Sequence, residues 1–378
     1  MAASFIAVAA RMSLVQFLGI YFVHRAGIDV TTVGLAFLCE NLARGLLAPM
    51  FGALSDRVGR RGLLIASSLC TALVLPAFLL VSGPGSLLAW SLALGTVGAI
   101  NIPVSSALLL DLAPVERRQS VLALNYAAMS VAYTLGVVPA GYIAQQGYEW
   151  LAATSAAGYV LVALLYALAL RGQLPLEKAG PDAGVVRNTL AAFFDRRFAL
   201  FAAIAFVFPL SMGMLVTVSP LYGADLGLGE GYIGLVLGAN SVLVAVLALP
   251  VATRIEARGP FRLLGAAAAI VAVALACYAV IPGAAAAFLV GTVVYSFGEV
   301  IFSSAVPAAV ARLAPEGRRG AYQGSWALVA SLSLGSALVL SGLISKASSW
   351  QVAWLACAAL TLVAAAALFA LRGRFQNT

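Results

Sequence analysis

Four ionisable side chains stand inside long apolar runs: Arg11, Glu40, Arg44 and Glu299. At the centre of a bilayer such a group costs at least about 2.5–3.5 kcal/mol, so each is a functional candidate by default. Glu40 and Arg44 are four residues apart, which puts them on one helix face and within pairing reach. Glu299 has no arginine at helical spacing, which makes it the better proton carrier on local sequence. Either glutamate is a candidate for holding a proton or a cationic substrate group. The structural alternative for Glu40 is a neutralised pair with Arg44 that only locks helices together. Arg11 has two readings, pairing with a glutamate or binding an anionic substrate, and the sequence does not choose between them.

These residues need helices in lipid to hold them. The chain has 378 residues, 63% hydrophobic and 10% charged. Soluble domains carry nearer a quarter charged residues, and a folded globule needs a polar skin. A span needs about 20 apolar residues. Twelve are expected, at 4–23, 32–54, 62–82, 86–112, 119–144 and 150–170, then 198–222, 231–252, 262–282, 284–311, 320–345 and 350–371. At 1.5 Å per residue, Glu40 lies about 20 Å and Arg44 about 15 Å from the end of span two, and Glu299 lies about 20 Å from the end of span ten. All three are therefore placed mid-membrane. The expected fold is an all-α integral membrane protein of two pseudo-symmetric six-helix bundles. The first bundle covers 1–170, a polar cytoplasmic linker 171–197, and the second bundle 198–378.

The basic residues supply an orientation. With the N-terminus inside, 18 of the 22 Lys and Arg residues fall in cytoplasmic loops, the linker and the tail. This is the positive-inside bias. It accounts for the net charge of +8 without a nucleic-acid partner. Both termini are expected in the cytoplasm, with the chain multi-pass in the cell (cytoplasmic or inner) membrane. Leu112-Ala113-Pro114-Val115-Glu116-Arg117-Arg118 returns 201 residues later as Leu313-Ala314-Pro315-Glu316-Gly317-Arg318-Arg319, and Trp150 returns as Trp350. A repeat at equivalent topological places implies two halves in the same orientation.

The loop after span two reads Gly52-Ala53-Leu54-Ser55-Asp56-Arg57-Val58-Gly59-Arg60-Arg61. It resembles the signature loop of the major facilitator superfamily, G-x-L-x-D-R-x-G-R-R. Gly298-Glu299, with Leu313-Ala314-Pro315 and Arg319-Gly320-Ala321-Tyr322-Gln323-Gly324, looks like the drug:H+ antiporter-1 type of member. The second-half loop, Thr253 to Gly259, lacks the aspartate, and span four lacks the arginine that many proton antiporters carry there. The resemblance implies that Gly52, Asp56, Arg57, Gly59, Arg60 and Arg61 form a gating loop at the cytoplasmic face, with Asp56 set against the start of span eleven. The plain alternative is a loop that only sets topology. Gly59 and Gly62 are expected to permit its tight turn.

Asn101, Asn125, Tyr126, Asn240 and Trp326 also lie within spans, where polar groups must find partners. For any one of them, packing is the plainer reading. Asn125 and Trp326 are related by the 201-residue repeat, and the resemblance implies that their helices border a central cavity. They and Tyr126 therefore join Glu299, Glu40, Arg44 and Arg11 as candidates for proton coupling or substrate binding.

Chemistry of other kinds finds no footing. No Gly-x4-Gly-Lys-Ser/Thr phosphate loop is present. The single histidine, His24, and the isolated Cys39, Cys70, Cys277 and Cys357 do not make a metal site. No cofactor and no catalytic residue is expected, and the chain does not read as an enzyme. The expected function is alternating-access secondary transport, proton-coupled export of a small organic molecule or drug by a monomer in the lipid bilayer. Uptake of a small solute or metabolite by symport or facilitated diffusion is one alternative. A non-transporting membrane sensor or scaffold is another.

Overall fold

In hydrocarbon, backbone N–H and C=O groups must be satisfied within the chain, which leaves a protein this apolar the choice of helices or a closed barrel. A computed structural model describes residues 1–114, 118–170, 192–315 and 318–376. A few side chains within helices, those of Asp56 and Tyr126 among them, are outside the description. Among the described residues there are twelve long helices and no strand. The first six are α1 Ala2–Arg25, α2 Val30–Val58, α3 Arg60–Leu80, α4 Pro84–Leu112, α5 Arg118–Gln146 and α6 Tyr148–Ala169. The second six are α7 Arg196–Asp225, α8 Glu230–Arg258, α9 Pro260–Val280, α10 Ala284–Leu313, α11 Arg319–Ala347 and α12 Trp350–Gln376. Eleven of them are long and apolar enough to cross a membrane, and α5 has the 29-residue length of α2 and α4.

The chain divides into two compact units, Met1–Ala183 with Gly229–Gly238, and Gly184–Leu228 with Ala239–Thr378. In the first unit α2 packs along α4, α1 along α5 and α6, and α3 along α6. In the second, α9 packs between α10 and α12, and α7 along α11. Large apolar side chains turn outward as well as inward: Leu73, Val246 and Val363 are 74%, 68% and 66% exposed. In water such a surface would be a liability, whereas acyl chains match it.

Local signals explain where the helices begin and bend. Asp29 starts α2 by accepting from the backbone N–H groups of Thr31 and Thr32 at 3.1 and 3.3 Å. Asp195 does the same for α7 with Arg197 N–H at 2.9 Å. Pro49, Pro103, Pro139, Pro250 and Pro307 sit inside helices, each removing a backbone donor and favouring a bend. Pro49 and Pro250 are 201 residues apart, so the repeat extends to the kinks.

Two expected spans are not continuous. α1 runs as α-helix over Ala2–Val15, resumes at Leu18 and opens into a wide π turn at Tyr21–Arg25. α7 carries the same kind of turn at Met214–Val218. Hydropathy reports how apolar a segment is and nothing about its hydrogen-bond register, so the pattern did not forecast these breaks. The linker expected at 171–197 lies largely outside the described residues, as do Val115–Arg117 and Glu316–Gly317 of the repeated string.

Candidate functional site

Polar side chains collect at two centres, one within each unit. In the first unit, close approach of two helices builds the centre. α4 meets α2 at Gly95, where any Cβ would strike the backbone carbonyl of Glu40. The Glu40 carboxylate lies in the interior, with Arg11 of α1 bonded to it through Nη2. Their side chains are 10% and 5% exposed, so the pair is held out of solvent. Tyr159 of α6 lines the same cavity as Arg11.

Arg44, one turn along α2, is placed differently. Its Nη1 lies 3.7 Å from the same Glu40 oxygen, too far for a hydrogen bond. Its Nη2 donates to Asn41 Oδ1. Asn41 presents that oxygen because its Nδ2 is committed to the Phe37 carbonyl at 2.8 Å. The i, i+4 face expected for Glu40 and Arg44 is therefore present, but Arg11 is the partner that engages the carboxylate. Of the two glutamates that local sequence offered Arg11, the structure pairs it with Glu40.

A cavity of about 80 Å³ lies against these groups. Arg11, Arg44, Asn101 and Tyr159 line it, with Met12 and Met129 on its apolar walls. Gly98 lies beside the Arg11 guanidinium and the Arg44 stem: a Cβ there would sit 3.4 Å from Arg11 Nη1 and 3.8 Å from Arg44 Cδ. The Nδ2 of Asn101 is buried without a hydrogen-bond partner.

The second unit carries the opposite charge. Glu299 of α10 is half-buried and accepts from Asn240 Nδ2 of α8 at 2.9 Å. The same amide lies 3.0 Å from Ser296 Oγ, which in turn donates to the Thr292 carbonyl at 2.9 Å. Among the described residues no cation pairs with Glu299. Asn240 follows Glu40 by 200 residues and Glu299 follows Gly98 by 201. Corresponding helix pairs, α2 with α4 and α8 with α10, thus hold an arginine-rich centre in one half and a lone carboxylate in the other.

The loop after α2 turns at Gly59, whose φ of +90° favours glycine. Gly259 repeats that geometry at φ +78° between α8 and α9. Gly62, expected to share the turn, is already inside α3 and has no positive φ, so Gly59 alone makes it. Arg60 forms an ion pair with Asp111 at the end of α4. Arg61 Nη2 donates to the Ala167 carbonyl at 3.0 Å, at the negative end of the α6 dipole. Arg57 is exposed, and Gly52 lies within α2 with open space beside it. The side chain of Asp56, expected against α11, lies outside the described residues.

Of the remaining candidates, Asn125 is buried, with Nδ2 3.4 Å from Met129 Sδ and Oδ1 unpartnered. Trp326 is half-buried, its ring 6.2 Å from that of Phe201. Tyr126 has no described side chain. The sequence reading missed Asp111, Asn41 and Tyr159. Asp111 left a signal, since it is the one acidic residue of α4 and lies at the end that meets the basic loop.

Comparison with known proteins agrees with this architecture. The family model described as Major Facilitator Superfamily matches residues 1–284 and 201–377. An uncharacterized MFS-type transporter, YqjV, of Bacillus subtilis (strain 168) is 23% identical over 317 residues, 82% of this chain and 77% of that protein. A Na(+), Li(+), K(+)/H(+) antiporter of Planococcus maritimus is 25% identical over 342 residues, 81% of this chain and 79% of that protein. Among solved structures, the nucleoside transporter NupG superposes with a TM-score of 0.83 at 14% identity, covering 98% of this chain and 97% of that one. A bacterial homologue of the human lysosomal transporter Spinster gives 0.79 at 14% identity, covering 99% and 95%. At these identities the structural likeness concerns the fold.

Proposed function

The chain belongs to the major facilitator superfamily, and from that premise we propose that it exports a small organic molecule by alternating access, coupled to protons through Glu299. The observation that carries the reading is the placement of that carboxylate. It sits within α10, accepts one hydrogen bond from Asn240 at 2.9 Å, and has no pairing cation among the described residues. A carboxylate in this setting exchanges a proton without first breaking an ion pair. Glu40 lacks that freedom because Arg11 engages it. The relative named as a Na(+), Li(+), K(+)/H(+) antiporter supports coupling to protons in this part of the family.

The loop from Gly52 to Arg61 is the cytoplasmic gate in this reading. Its Arg60 and Arg61 contacts tie α3 to the ends of α4 and α6. In this reading both termini lie in the cytoplasm and the protein in the cell membrane, with the basic loops as support for the orientation. Proteoliposomes with an imposed pH gradient test the proposal on wild type and Glu299→Gln. The expected result is gradient-driven flux in wild type, reduced about a hundredfold or more in the variant, the scale of one lost proton-transfer group. Wild-type flux indifferent to the gradient rejects proton coupling, and gradient-driven flux that survives the substitution removes Glu299 from the mechanism.

A further inference from the structure

Among the described residues that line the first unit's cavity are two cations, Arg11 and Arg44, and no carboxylate. Arg11 and Arg44 bring two positive charges to it and Glu40 brings one negative, so the centre keeps one net positive charge. Among the described residues Arg11 and Arg44 are the only charged side chains on its wall, where α3 contributes Thr71, α4 Asn101 and Ser105, α5 Met129 and α6 Tyr159. The single carboxylate is spent on Arg11. Arg44 bonds Asn41 through one nitrogen, stands 3.7 Å from Glu40 and keeps 26% of its side chain exposed. Its remaining N–H groups are free to meet something else. Asn101 adds a buried amide nitrogen with no partner on the same wall.

We infer that this cavity binds the anionic group of the substrate, a small organic carboxylate held by Arg44 and Asn101. The planar guanidinium matches a carboxylate in a two-point fork. The charge balance points the same way, since an arriving monoanion neutralises a centre that otherwise carries one excess positive charge. The volume of about 80 Å³ admits the carboxylate with a short tail, and Met12 and Met129 give that tail apolar walls. Arg11 and Glu40 act here as a fixed frame that keeps Arg44 from collapsing onto a full-strength partner.

Calling the ligand a substrate rests on the transporter function proposed above, but binding itself needs no gradient. Purified wild-type protein in detergent is titrated with butyrate, its isosteres butyramide and butylammonium, and chloride, reading the shift in thermal unfolding. Butyrate alone is expected to stabilise. Its apparent Kd rises about tenfold or more in Arg44→Gln, the scale of a lost charge-assisted hydrogen bond, and about threefold or more in Asn101→Ala. Equal stabilisation by all four probes, preference for butylammonium, chloride binding as tightly as butyrate, or no response to butyrate overturns the inference. So does undiminished butyrate binding in both variants. If Arg44→Gln fails to fold, the wild-type panel and Asn101→Ala decide. A negative result leaves proton coupling at Glu299 standing, and failure of the Glu299→Gln assay leaves this site standing.

Discussion

Replacing Glu40 by Gln changes almost nothing in shape and removes the one negative charge of the first unit's centre. Arg11 then lies buried at 9% exposure with no counter-ion, beside a second cation. Breaking a buried pair in this way costs about 3–5 kcal/mol, because a desolvated charge is left behind. For a unit of this size, 1 kcal/mol moves the unfolding temperature by about 2–4 °C, so the loss is about 6–20 °C. Arg11→Gln should cost less, since Glu40 keeps Arg44 at 3.7 Å. Arg44→Gln should cost least, under about 1 kcal/mol, as it leaves the main pair intact and the site neutral. The double variant Arg11→Gln, Glu40→Gln should recover about 2 kcal/mol or more relative to the summed single losses. Thermal unfolding of the purified variants in detergent, followed by tryptophan fluorescence, reads all four. The reasoning fails if Arg44→Gln is as damaging as Glu40→Gln, or if Glu40→Gln unfolds within about 2 °C of wild type.

Gly95→Ala should separate α4 from α2, because the added methyl meets the Glu40 carbonyl. An overpacking loss of about 1–3 kcal/mol is expected, visible as reduced thermal stability and as a smaller fraction of monodisperse protein on size-exclusion chromatography. Asp111→Asn releases Arg60 from a partly exposed pair, side chains 15% and 23% open, so stability should change by less than about 1 kcal/mol. Transport in proteoliposomes should nonetheless fall if the loop gates. Full activity in that variant would reduce the pair to a surface contact.

The spans were legible because lipid leaves so few backbone solutions. An apolar run of the right length is a helix, and the expected 86–112 and 284–311 match Pro84–Leu112 and Ala284–Leu313 closely. The turn at Gly59 was legible for a related reason, as its backbone geometry favours one residue type. What escaped were contacts between helices. The pairing of Glu40 with Arg44 follows from spacing on one helix. Its stronger tie to Arg11 depends on how α1 and α2 rotate against each other, which no local pattern encodes. Asp111 was missed because its partner Arg60 is 51 positions away. The free donor on Asn101 was invisible for the same reason, since asparagine in a span looks alike whether its amide is satisfied or not. The wide turns in α1 and α7 depend on register, about which hydropathy is silent.

The tie between Arg11 and Glu40 also bears on how the chain enters the bilayer. The first span carries a cation whose insertion alone is penalised by about 2.5–3.5 kcal/mol, and its counter-ion is 29 residues behind it. At about 5–20 residues per second of synthesis, Arg11 waits roughly 1.5–6 s before Glu40 is made. During that interval α1 is a poor candidate for release into lipid by itself. Biogenesis therefore favours retention of the nascent first helix at the insertion machinery until the second arrives, so that both partition as a charge-matched hairpin.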